Sequence, residues 1–188
     1  TMAPFMKLIE ANRMDQRQPR YAAFTDVLHY CDHSANPVGR IVLALYDCDD
    51  AERGKLSDAI CTALQLANFW QDVKGDYAER GRIYIPQEDM KRFGVREENI
   101  AEGRADESWR ALMKFEADRA AALFDEGTPL LKLVPRRLAN EVRLFIKGGR
   151  AVLDGLRRIE YDVFRHRPTV PKWKKLLWAA QLGLSTLA

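Results

Sequence analysis

The chain is predicted to be all-α, on three observations. Val, Ile and Thr never alternate with polar residues long enough to build a half-buried strand. Apolar residues instead recur at helical spacing, as Trp109, Leu112, Phe115, Ala122 and Leu123 do. Gln65, Asn68, Asp72 and Asp76 stand three and four apart, which on a helix stacks four polar side chains into one stripe. Long antiparallel helices in a single domain, residues 1–188, are the architecture this implies.

The first helix is expected over residues 4–16, because Pro4 suits a first helical turn. Gln18-Pro19 interrupts it. Thr25 is the candidate N-cap of a helix reaching Tyr46. Asn36-Pro37-Val38-Gly39 should kink or break that helix, since Pro37 donates no hydrogen bond and clashes with the preceding turn. Asp47-Cys48-Asp49-Asp50 reads as a loop, and Ser57 as the cap of a helix running to about residue 78 with the polar stripe on it. Residues 81–86 connect to a short helix, 87–92, closed by Gly94. A long helix follows over 105–126, and Pro135 opens another that continues toward Arg165. Pro168 and Pro171 punctuate, and a last amphipathic helix starts at Lys172. No internal repeat or low-complexity linker interrupts this series.

A chain of 188 residues is large enough to bury about 70% of its unfolded surface. Its net charge of +3 is too small to argue for nucleic acid, and no Lys/Arg stripe alternates with aromatics as a strand-binding groove requires. Cys31, Cys48 and Cys61 cannot all pair and lie in no CxxC or metal spacing, so reduced thiols, buried at Cys31 and Cys61, and a cytoplasmic setting are expected. No apolar run of 18 residues spans a bilayer. His29 and His33 stand four apart without a third zinc ligand, and Gly148-Gly149 is no phosphate loop.

The stripe carries the chemistry. Two carboxylates at i, i+4 repel by roughly 0.2–0.5 kcal/mol on a bare helix. A divalent cation converts that repulsion into a site, and carboxylate and amide oxygens suit Mg²⁺, which leaves other positions to water and substrate phosphate. Asn68, Asp72 and Asp76 are therefore the candidate metal ligands in half of a diphosphate site.

The run resembles the second aspartate-rich motif of the squalene/phytoene synthases, head-to-head isoprenyl diphosphate synthases. The family pattern Gln-x-x-Asn-x-x-x-Asp-x-x-x-Asp, then Arg-Gly-Arg-Ile-Tyr-x-Pro, is matched by Gln65, Asn68, Asp72, Asp76, Arg80, Gly81, Arg82, Ile83, Tyr84 and Pro86. Upstream, Tyr30-Cys31 and Ser34-Ala35-Asn36-Pro37-Val38-Gly39 stand where the general family has Tyr-Cys-x-x-Val-Ala-Gly-x-Val-Gly. The Ser-Ala-Asn-Pro version, with Gln71 before Asp72, is similar to the bacterial hydroxysqualene synthases of hopanoid biosynthesis.

The resemblance implies the isoprenoid synthase fold, helices around an apolar cavity with metal ligands at its mouth. It implies an Mg²⁺-dependent enzyme acting on presqualene or farnesyl diphosphate. Asp72, Asp76, Tyr30 and Asn36 are its candidate catalytic residues, with Gln65, Arg80, Arg82 and Tyr84 on the diphosphate and Phe69 and Trp70 on the cavity wall. Metal-assisted departure of diphosphate leaves a carbocation that π faces stabilise. Asn36, polar where related synthases carry glycine, is the candidate holder of the water that captures the cation as an alcohol. Squalene or phytoene synthesis is the alternative outcome. Lys172, Lys174 and Lys175 beside Trp173, Leu176, Leu177, Ala180 and Leu184 form a basic amphipathic face, suited to the inner face of an anionic membrane.

One departure counts against this reading. The family's first aspartate motif should precede Tyr30, yet only Asp15 and Asp26 do, at the wrong spacing. The 188 residues are thus expected to match the C-terminal two-thirds of a family member, with little activity alone and with exposed apolar surface. A non-catalytic lipid-binding or assembly module of the same fold is the reading from another class.

Overall fold

The computed structural model describes residues 2–171 and Trp178. It contains eight α-helices and one 3₁₀ turn, and no strand among the described residues. They are α1 (Ala3–Arg17), α2 (Phe24–Ser34), α3 (Asn36–Leu45), α4 (Ala51–Arg80), α5 (Gln87–Arg92), α6 (Glu97–Ala101), α7 (Glu107–Gly127), the 3₁₀ turn Thr128–Lys132, and α8 (Arg136–Arg158). The all-α expectation holds. The amphipathic helix expected from Lys172, with its membrane-facing lysines, lies outside the described residues. No helix among the described residues is long and apolar enough to cross a membrane.

α4 is the axis of the molecule. At about 1.5 Å per residue its 30 residues extend roughly 45 Å. It packs against α7, α3, α8 and α2. Glycine lets α7 approach closely: a Cβ on Gly127 would lie 2.4 Å from Ile60 Cγ1 and 2.8 Å from the Leu56 carbonyl. Trp70, Leu66, Leu112, Met113, Ala117, Ala120 and Phe124 fill the space between the two helices and are buried.

Several helix borders differ from expectation for local reasons. Ser57 does not cap α4; Asp50 does, its carboxylate accepting the Arg53 amide at 2.9 Å, and Ser57 is buried in the helix interior. Thr25 does not cap α2, because the helix starts at Phe24 and Asp26 reaches back to the Ala23 amide at 2.9 Å. The break around Pro37 is real but comes one residue early. Ala35, at φ −121° and ψ −50°, separates α2 from α3, and Pro37 sits in the first turn of α3. The long helix begins at Glu107, where Asp106 accepts the Trp109 amide at 2.9 Å. α8 stops at Arg158 rather than near Arg165, and Glu160 and Tyr161 follow at positive φ. Gly94, at φ 68°, closes the turn after α5 as anticipated.

The three cysteines are free; Cys31 is buried as expected, while Cys61 is only half-buried and Cys48 is buried instead. Burial pushes the Cys31 thiol up to about 12 and the Cys61 thiol up to about 11, so both stay protonated.

Candidate active site

The predicted stripe forms on the C-terminal half of α4. Asn68 is exposed, Gln65 and Asp72 are half-buried, and Asp76 is buried. Asp72 and Asp76 share the wall of a cavity of about 560 Å³ with Gln71, Lys74, Arg80 and Arg167. Each carboxylate meets a guanidinium. Arg80 donates to Asp76 at 2.8 Å, and Arg167 grips Asp72 through two nitrogens, NH2 to Oδ2 at 2.9 Å. Burial raises the Asp76 carboxyl above its ordinary range; Arg80 opposes that and the Asp72 charge adds to it.

Arg167 was not visible in the motif. It belongs to the chain that follows α8 and crosses α4, 95 residues from Asp72. This crossing segment is fastened by the Phe164 carbonyl accepting from Lys74 at 2.8 Å, by the Pro168 carbonyl accepting from Gln71, and by the Tyr161 carbonyl accepting from the Trp109 indole at 2.9 Å. Lys74 and Gln71 are thus fasteners of the crossing, and Gln71 is buried.

The second motif half packs beneath the stripe. Phe69 stacks face to face on Tyr84, with centroids 3.8 Å apart and planes 6° from parallel. Tyr30 and Tyr21 complete this aromatic group, at 5.6 Å from Tyr84 in each case. Burial raises the Tyr30 phenol well above its ordinary value, and the hydrogen bond to Asp15 adds to the effect. Burial likewise raises Tyr84.

Asp15, dismissed on spacing, holds this half together. It accepts from the Tyr30 hydroxyl at 2.7 Å and pairs with Arg82 at 3.2 Å, while Arg82 also donates to the Asp15 carbonyl at 2.9 Å. Arg82 reaches the Tyr84 hydroxyl at 3.4 Å. A carboxylate, a guanidinium and two phenols are therefore fixed together, brought from α1, α2 and the connector after α4. In the sequence Asp15 offers no signal beyond an acidic residue two positions before the end of the first helix.

Trp70 needs correction. It is 100° around α4 from Phe69, is completely buried, and donates its indole N–H to the Glu116 carbonyl at 3.2 Å. It belongs to the α4–α7 core, and Phe69, 6% exposed and stacked on Tyr84, belongs to the same buried cluster; neither lines the cavity of Asp72 or that of Asn36. Asn36, at the start of α3, lines a separate cavity of about 490 Å³ with Arg40, Ile41, Ala44 and Asp58. The Thr62 hydroxyl donates to its Oδ1 at 3.0 Å.

The donor set fits Mg²⁺ in one way only. Among the described residues no three His, Cys, Asp or Glu side chains gather into a cage. Asp72 and Asp76 line one wall, while Asn68 opens onto a neighbouring cavity with Gln71 and Arg167; two carboxylates on an open wall suit an ion that completes its shell with phosphate and water.

The described residues form an all-helical bundle with an oxygen-donor stripe beside a cavity lined by Arg80 and Arg167. The family follows from comparison: the squalene/phytoene synthase profile matches residues 1–174. The chain belongs to the squalene/phytoene synthase family. It is 34% identical to the 15-cis-phytoene synthase of Synechococcus elongatus over 92% of this chain and 60% of that one. The crystal structure of squalene synthase HpnC from Alicyclobacillus acidocaldarius aligns with a TM-score of 0.84 and 49% identity, over 86% of this chain and 61% of that one. A dehydrosqualene synthase crystallised with a ligand aligns at TM-score 0.88 and 26% identity, over 99% and 65%. The fold is thus the isoprenoid synthase fold. The chain spans about 60% of the length of the first of these curated relatives.

Proposed function

We propose that the protein is an isoprenoid diphosphate enzyme that converts presqualene diphosphate to hydroxysqualene. The observation that carries this reading is Asn36, an amide on a cavity wall where the α2–α3 break opens the helix, held by Thr62. The 49% identity to a squalene synthase HpnC supports the same branch of the family.

Asn68, Asp72 and Asp76 would hold Mg²⁺, which neutralises charge on the departing diphosphate. Gln65, Arg80 and Arg82 would bind and orient the diphosphate oxygens, where a guanidinium fork suits two oxygens at once. The Tyr84 hydroxyl stands beside Arg82 and fixes its direction. Asp15 anchors Tyr30 and Arg82 in one arrangement, so little reorganisation is needed when the C–O bond breaks. Phe69, Tyr84 and Tyr30 pack into one buried aromatic group that backs Arg82 and Asp15. A water held by Asn36 would donate a lone pair to the carbocation, forming the new C–O bond, and its proton would leave through solvent to the released diphosphate.

The test is Mg²⁺-dependent turnover of presqualene diphosphate with products resolved by mass. Hydroxysqualene is expected, and Asn36→Gly should shift product from alcohol to hydrocarbon. An unchanged alcohol yield in that variant sinks the role of Asn36. A wild-type product of squalene when NADPH is supplied as hydride donor, or phytoene made from geranylgeranyl diphosphate, would instead support the second reading, which the 34% identity to a phytoene synthase favours. Absence of any diphosphate release would favour a non-catalytic module.

A further inference from the structure

We propose that the outer faces of α1 and α3 form the two-fold interface of a homodimer. Eight large apolar side chains stand exposed among the described residues. Six of them, Met2, Phe5, Met6, Ile9, Val38 and Leu45, belong to α1, its N-cap and α3. The other two, Leu133 and Phe145, lie after the 3₁₀ turn and on α8.

The face is a periodic pattern, not a scatter. From Met2 the outward residues of α1 recur at i, i+3, i+4 and i+7, and Val38, Ile41, Val42 and Leu45 repeat that spacing on α3. Residues two apart lie ~200° apart around a helix, so Ile9 points away from buried Ala11 and Leu45 away from buried Leu43. Both helices are therefore apolar on two sides, the pattern of a helix covered all round. The two stripes are continuous, because Phe5 of α1 and Ile41 and Leu45 of α3 line one cavity.

Size and charge select a second copy as the occupant. The six side chains are 46% to 78% exposed, which leaves roughly 650 Å² of apolar surface per chain, close to the ~800 Å² per partner of a stable interface. The charges beside the face are already matched within the chain. Lys7 meets Asp32 at 2.6 Å, Arg40 pairs with Asp58 through two nitrogens, and Arg13 meets Glu10 at 3.1 Å. Asp49 is the remaining charge on the cavity wall, and it is exposed. A face so balanced has no excess of cations to draw it to an anionic bilayer. Covering it with an identical face strands none of the paired ions. A patch that meets itself does so across a two-fold axis, which closes the assembly at two copies.

The experiment is sedimentation equilibrium of the 188-residue chain from nanomolar to high-micromolar concentration. A reversible species of twice the 21.6 kDa chain mass is expected. Ile9→Glu and Leu45→Glu each place a charge in the interface twice, once per copy, so each should weaken dimerisation by at least about tenfold. Both positions are exposed in the single chain, so the helical circular dichroism should be unchanged. Phe145→Glu, at an exposed apolar position on α8, should leave the dimer intact. A monomer at every concentration overturns the proposal. So does open-ended aggregation, a dimer indifferent to both α1 and α3 variants, or one weakened equally by Phe145→Glu. A monomer that co-sediments with phosphatidylcholine vesicles would give the face to a membrane and overturn the dimer likewise.

Discussion

Glu116→Gln is expected to make the domain more stable in mild alkali. Glu116 is in α7 and completely buried, with one carboxylate oxygen, Oε1, that meets no hydrogen-bond partner. Its other oxygen receives Arg119 at 3.3 Å, but Arg119 also serves buried Asp89 of α5 at 2.9 Å. Arg119 is itself seated on the rings of Phe24 and Phe115, 3.8 Å and 4.4 Å from their centroids. Two carboxylates share one guanidinium, and exposed Glu88 adds further negative charge. Burial foremost, with Asp89 assisting and Arg119 opposing, pushes the Glu116 carboxyl from 4.5 up to about 8. The folded chain therefore keeps a proton that the unfolded chain releases. Stability is full below about pH 4.5 and falls as pH rises toward the folded value near 8, where the loss is complete. At ~1.4 kcal/mol per pH unit the loss amounts to roughly 3–5 kcal/mol. Glutamine stays neutral and has no such slope. Thermal melts of both proteins between pH 5 and 9 should diverge, with the variant ahead by on the order of 10 °C at the alkaline end. Parallel melting curves across that range would refute the reasoning.

Arg167→Ala should strengthen binding of Mg²⁺ or Mn²⁺ in the absence of diphosphate, because the guanidinium competes with the ion for Asp72. The pair is substantially exposed, so the gain should be no more than about fivefold; a weaker cation affinity by titration would contradict this. Gly127→Ala should cost about 1–3 kcal/mol in chemical denaturation, since its methyl group would press on Ile60 and the Leu56 carbonyl.

Local chemistry was readable and long-range chemistry was not. Pro4, Pro37 and Gly94 act within one turn of themselves, and the elements they border appeared where expected. Asp50 was lost inside an acidic loop, while Ser57 had the right residue type for a cap but the wrong neighbours. The stripe from Gln65 to Asp76 needs only helical periodicity. Asp15 and Arg167 reach the site from α1 and from the chain beyond α8, and no spacing rule connects them to Tyr30 or Asp72. Phe69 and Trp70 show the limit within one helix. Adjacent in sequence, both are buried, Trp70 against α7 and Phe69 against Tyr84, and only the placement of those partners makes them core.

The fastening of residues 161–168 across α4 has a consequence for how the chain folds. Gln71 and Pro168 are 97 positions apart, and closing a loop of that length costs ~4 kcal/mol of chain entropy beyond a constant term. Contacts so distant in sequence slow folding. A ribosome delivers α4 and α7 well before Pro168 emerges, so the α4–α7 core can pack while the Asp72 end still lacks its crossing. The half of α4 that carries the carboxylates is then the last to mature, and the order of synthesis becomes the order of assembly.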